Sequence, residues 1–114
     1  MFYDEEHERY YFEFLEKDNT REGDLERQSL FYLLALNEST RTNIHSIYDF
    51  KNHWINIDSI NESWQTGSST KITRFAFNLY NGYKENVDIL NIFSSIDRDK
   101  FPMLFNAISI RFGG

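Results

Sequence analysis

The stretch FNLYNGYKEN, residues 77–86, decides how the chain is read, because its Asn-Gly pair fits two opposite structures. Asn-Gly between apolar residues is a strong β-hairpin signal. The same pair also ends helices, with glycine in the left-handed conformation. A hairpin needs period-two alternation upstream. Instead Ile72, Phe75, Ala76, Leu79, Tyr80 and Tyr83 recur at helical spacing, with Lys71, Arg74, Asn78 and Asn81 between them. The cap-rich Ser68-Ser69-Thr70 precedes this pattern, and KENVD after it does not alternate. The spacing therefore predicts a helix that stops at Asn81-Gly82, and most of the tyrosines become core residues.

Upstream, DEEHERYYFEFLEKD (residues 4–18) reads as an amphipathic helix capped by Asp4. His7, Tyr11, Phe14, Leu15 and Asp18 share its inward face, with Tyr10 at the edge. Glu6, Arg9, Glu13 and Glu16 lie on the other. Asp24 caps a second helix within residues 25–36, whose later part, Leu30 to Leu36, is apolar all the way round. In a water-soluble chain such a helix is the central one. A short helix near Ile44 to Phe50 follows, then an extended piece, HWINI (residues 53–57), and the polar loop NESWQTGSST (residues 61–70).

Downstream, NVDILNIFSSI (residues 86–96) predicts a short helix with Val87, Leu90 and Phe93 inward. Asp97 or Asp99 caps the last helix, with Pro102 in its first turn, where its missing N–H costs nothing. Phe101, Leu104, Phe105, Ile108 and Phe112 form one apolar stripe of that helix; Met103, Ala107 and Ile110 form a second on nearly the opposite face. The reading is a single all-α domain over residues 1–114, with five or six helices around the central one.

The chain's 114 residues, 40% hydrophobic and 26% charged, suit one globular core. Aromatic residues at 18% let a small core bury a large area. With no cysteine, disulfides, thiolate catalysis and cysteine metal sites are excluded. No apolar run approaches the ~20 residues of a membrane span. The acidic start, MFYDEEHERYYF, is unlike a signal peptide, so the expected location is the cytoplasm.

The net charge of −6 is uneven: residues 1–26 hold ten acids and three bases (−7), and the remainder hold eight acids and nine bases (+1). That balance disfavours direct nucleic-acid binding and permits a partner with a basic surface. The acidic face, Glu6, Glu13 and Glu16, is the candidate docking surface; the plainer reading is a solvated helix face. Trp54 and Trp64, together with Met103, Ala107 and Ile110, are the apolar alternative, since tryptophan is enriched at binding hot spots. On one continuous helix, His45, Asp49 and His53 at i, i+4 and i+8 would offer two imidazoles and a carboxylate to a metal. The extended HWINI argues against that helix, and no metal or other cofactor is expected. Phosphate-loop, G-x-S-x-G and H-E-x-x-H patterns are absent.

Four stretches, DNTREGDLERQSLFYLLALN, IYDFKNHWI, FNLYNGY and NAISIRFGG, resemble a family of small proteins of unknown function from Gram-positive bacteria and their phages and mobile elements. That resemblance carries no catalytic residues with it. It implies an accessory protein that binds a host protein, most simply an inhibitor of a bacterial defence system such as a CRISPR effector. Two alternatives stand beside this non-enzymatic reading: a small enzyme or nucleotide-binding protein with a site near Asp49 and His53, and a structural or regulatory homodimer joined through the last helix.

Overall fold

Helix α2, Leu25–Leu34, is the element around which the rest packs. Asp24 caps it, its side chain accepting the Arg27 N–H at 3.0 Å. Leu30, Phe31, Leu33, Leu34 and Ala35 are completely buried, as an all-round apolar helix requires. Helices α1 (Glu5–Asp18), α5 (Gly67–Asn81) and α7 (Phe101–Phe112) pack directly on it. In this computed structural model residues 1–81 and 88–113 are described. The expected left-handed stop at Gly82 and the inward Val87 lie outside them.

Helix α1 buries His7, Tyr11, Phe14 and Asp18, the face its periodicity predicts, and Asp4 accepts the His7 N–H at 2.8 Å. It ends at Asn19, in the left-handed conformation at φ 55°. The residues before Asn81-Gly82 are helical, which removes the upstream strand that a hairpin would need. In α5, Thr66 and Ser69 cap reciprocally: Thr66 Oγ1 accepts the Ser69 N–H at 3.1 Å and Ser69 Oγ accepts the Thr66 N–H at 2.8 Å.

Between α2 and α5 run two short helices, α3 (Glu38–Thr42) and α4 (Ile44–Ile47). They lead into a two-stranded antiparallel ribbon, β1 (Tyr48–Asp49) and β2 (Trp54–Ile55), with Tyr48 opposite Ile55 and Asp49 opposite Trp54. A 3₁₀ turn at Ile57–Asn61 follows. The fold is mostly helical, but the ribbon and a count of seven helices among the described residues depart from a five- or six-helix all-α bundle. Strands of two residues are too short for alternation to announce them.

Helix α6 (Ile89–Ser94) presents a different face from the one the sequence predicts, and α7 turns toward the core the stripe read as an alternative docking surface. In α6 the buried residue is Ile92; Leu90 is 77% exposed and Phe93 is half-buried. In α7 the core takes Met103, Leu104 and Ala107, while Phe105, Ile108 and Phe112 face outward. Both helices are apolar on more than one side, so periodicity cannot choose the inward face and the neighbouring helices do. Among the described residues, no helix is long and apolar enough to cross a membrane.

Candidate functional site

Asp18 closes the inward face of α1, and its side chain is only 1% exposed. A buried carboxylate must be hydrogen-bonded or neutralised to be tolerated, and three elements supply its partners. From the ribbon, Tyr48 donates its hydroxyl to Oδ1 at 2.7 Å, and the His53 ring donates Nδ1–H to the same oxygen at 2.7 Å. Thr20, just past α1, donates to Oδ2. Arg27, from the first turns of α2, places Nε 3.7 Å from Oδ2.

Arg27 ties the cluster together. Its Nε donates to the Tyr48 hydroxyl at 3.0 Å, Nη1 to Asp24 at 3.0 Å and Nη2 to the His53 carbonyl at 2.7 Å. Burial works against the guanidinium charge, but the hydrogen bonds to Tyr48 and Asp24 outweigh it and raise the Arg27 pKa. Burial also pushes the Tyr48 phenol well above the usual tyrosine range. Tyr48 therefore remains a neutral donor to Asp18 while it accepts from Arg27.

His53 sits at the end of the ribbon's turn with φ 59°, a left-handed conformation unusual for a residue with a side chain. Two contacts hold it there: its N–H donates to the Asp49 carbonyl at 2.7 Å, and its own carbonyl accepts from Arg27. Asp49 shapes the turn by accepting the Lys51 and Asn52 N–H groups at 2.9 and 3.0 Å. Half of the His53 side chain, 49%, stays exposed. It lines an open cleft of about 440 Å³ together with Asp18, Asn19, Thr20, Arg21, Asp24 and Arg27.

The structure separates His45, Asp49 and His53, the residues of the i, i+4, i+8 pattern. Helix α4 ends at Ile47, so His45, Asp49 and His53 do not share a helix face. His45 and Asp49 line a different cleft of about 420 Å³, with Tyr48, Phe50, Lys51 and Asn56. Among the described residues, no group of three or more His, Asp or Glu side chains is placed to hold a metal ion. Of the site near Asp49 and His53, only His53 belongs to the polar cluster. The one sign in the sequence of the Asp18, Arg27 and Tyr48 cluster is an acid, Asp18, on the inward face of α1.

Glu6, Glu13 and Glu16 are exposed on α1, and Glu6 pairs with Arg41 at 3.1 Å. Trp54 is 50% exposed and packs edge-on against Tyr80, with ring centroids 5.6 Å apart. Trp64 is half-buried and donates Nε1–H to Glu62 at 2.7 Å, so it covers the core beneath the long connection. Met103 and Ala107 are buried and Ile110 is half-buried against the core, which removes this stripe as a docking surface. The exposed apolar surface of α7 is the opposite one: Phe105 at 59%, Ile108 at 39% and Phe112 at 68%. Phe93 links it to α6, its ring 5.5 Å from that of Phe105, and Ile89 and Leu90 of α6 are exposed as well.

No curated protein and no solved structure matches the chain. Residues 1–114 match throughout a family described as a family of unknown function, DUF6075, and the chain belongs to that family.

Proposed function

We propose that this protein acts by binding another protein, through the exposed apolar face of α7 and the adjoining end of α6. The observation that carries the proposal is the set Phe105, Ile108 and Phe112, three large apolar side chains on one side of a helix whose other side is core. Water-exposed apolar residues scattered singly need no explanation, but a contiguous group on one helix marks an interaction surface. Aromatic anchors of this kind supply most of the energy in protein interfaces.

The acidic face of α1, with Glu6, Glu13 and Glu16, would then steer a partner with a basic surface, since complementary charge mainly sets the encounter rate. The partner class we propose is a component of a bacterial defence system, such as a CRISPR effector. What supports that class is the resemblance to proteins of phages and mobile elements.

A second copy of the chain is the alternative occupant, and the α7 face favours it equally on chemistry. Sedimentation velocity of the parent separates the two readings. A monomer retains the partner reading, whereas a dimer that dissociates on Phe105→Ser with Phe112→Ser replaces it. Affinity capture from a bacterial host lysate then compares the parent with the triple variant Phe105→Ser, Ile108→Ser, Phe112→Ser. The expected result is a captured protein that is lost with the variant while the melting temperature is retained. Identical recovery by both proteins would show that the face is not the docking surface.

A further inference from the structure

The polar cleft beside α1 takes no part in protein binding through α7, and His53 and Arg21 are the lining residues whose ring nitrogen and guanidinium are open to a ligand. Hydrogen bonds within the cluster occupy both oxygens of Asp18, the Tyr48 hydroxyl and all three guanidinium nitrogens of Arg27. Among the described residues, nothing engages His53 Nε2 or the exposed guanidinium of Arg21.

The state of the imidazole follows from its partner. A carboxylate accepts only, so the Nδ1 facing Asp18 carries the hydrogen, which places the lone pair of the neutral tautomer at Nε2. Asp18 is sealed from water at 1% exposure, whereas His53 is 49% exposed. A buried acceptor orienting a half-open imidazole leaves one ring nitrogen available to a ligand. The His53 backbone is held in the left-handed region on both sides, by Arg27 and by Asp49, which fixes the ring's position.

The cleft also limits what it can take. At about 440 Å³ it falls within the range of small-molecule sites, yet every residue lining it is polar. Asp18 and Asp24 both pair with Arg27, and among the described residues Arg21 has no ion-pair partner; the two carboxylates and two guanidinium groups of the cleft balance in charge.

We propose that this cleft binds a small polar ligand carrying both an O–H group and an oxyanion, the chemistry of a phosphate monoanion, with His53 Nε2 accepting the O–H proton and Arg21 facing the negative charge. The transfer balances: the proton leaves the ligand oxygen for Nε2, and the imidazolium formed is stabilised by Asp18. The added negative charge on the ligand then lies between that imidazolium and Arg21. This proposal is independent of the docking face on α7.

The probe is inorganic phosphate, titrated into uniformly ¹⁵N-labelled protein while the ring nitrogens of His53 are followed by long-range ¹H–¹⁵N correlation. Before phosphate is added, neutral His53 should be the Nδ1–H tautomer. Phosphate should then shift Nε2 saturably, and Arg21→Gln should weaken binding roughly tenfold, as loss of one charge-assisted hydrogen bond implies. Sulfate, which has no proton to give, should bind distinctly more weakly than phosphate. An Nε2–H tautomer, no saturable shift, or an unchanged affinity in Arg21→Gln would overturn the proposal. Equal binding of sulfate would remove the proton-accepting role of His53. Arg21 is exposed, so its variant tests the site without testing the fold.

Discussion

Replacing Asp18 with alanine is the sharpest test of how the site and the fold depend on each other. The substitution leaves the buried Tyr48 hydroxyl with its Arg27 donor but no acceptor, and removes one acceptor each from Thr20 and His53. It also takes the carboxylate away from Arg27, although Arg27 keeps Asp24 at 3.0 Å. Breaking a buried charge pair costs about 3–5 kcal/mol when the remaining charge has no other partner. Here the lower end applies, because Arg27 is partly exposed and retains Asp24, and water reaches His53. An expected loss of about 3 kcal/mol corresponds to a drop in melting temperature of about 12 °C for a domain of this size. Tyr48→Phe removes only the bridging hydroxyl and should cost about 1–2 kcal/mol. The two variants share one hydrogen bond, so their double mutant should lose about 1 kcal/mol less than the sum. Urea unfolding with an unchanged m-value measures all three. A loss below about 1 kcal/mol for Asp18→Ala, or strict additivity, would refute the reasoning by showing a solvated, uncoupled cluster.

The buried imidazole of His7 makes stability depend on pH. The Tyr3 N–H donates to its Nδ1 at 3.0 Å and its Nε2–H donates to the Tyr32 carbonyl at 2.8 Å, and burial lowers its pKa. A depressed histidine pKa means that the unfolded chain takes up the proton first. The stabilisation is thus complete above the unfolded value of about 6.5 and is lost as pH falls through it; unfolding free energies measured from about pH 7.5 to 5 should fall less steeply in His7→Gln. Leu33→Ala or Leu34→Ala in the central helix should cost about 2–5 kcal/mol in denaturant unfolding, and parent-like melting of both would displace α2 from the core. In α7, Met103→Ala should cost about 2 kcal/mol or more while Phe112→Ser leaves the melting temperature nearly unchanged; the reverse order would mean that the helix presents its other stripe to the core.

Legibility in the sequence followed the contrast between a helix's two sides. Helix α1 carries acids on one side and His7, Tyr11 and Phe14 on the other, so its buried face could be read directly. The all-round apolar run of α2 has one placement, the centre. In α7, by contrast, Met103 and Ala107 on one side and Phe105 and Phe112 on the other are all apolar, and local pattern contains no term that ranks them. Only packing against α2 selects the side with the small residue, because Ala107 allows a close approach that Phe105 would prevent. The left-handed turn at His53 is hidden for a different reason. Left-handed backbone is announced by glycine or asparagine, and a histidine there gives no local sign of the turn it completes.

The ribbon shows why the polar cluster is more than an incidental pairing. Two strands of two residues cannot hold themselves together in water, and a histidine in the left-handed region adds strain to their turn. The contacts that offset these costs come from outside the ribbon. Tyr48 binds Asp18 of α1, and the His53 ring and carbonyl bind Asp18 and Arg27 respectively. Apolar packing alone, through Tyr48 and Ile55, would place the ribbon against the core without fixing the direction of the His53 ring. The buried carboxylate supplies that direction, and it can do so only while Arg27 and Tyr48 keep it satisfied. Stability of the ribbon and orientation of His53 are therefore two consequences of one set of hydrogen bonds, and a change that loosens either must loosen the other.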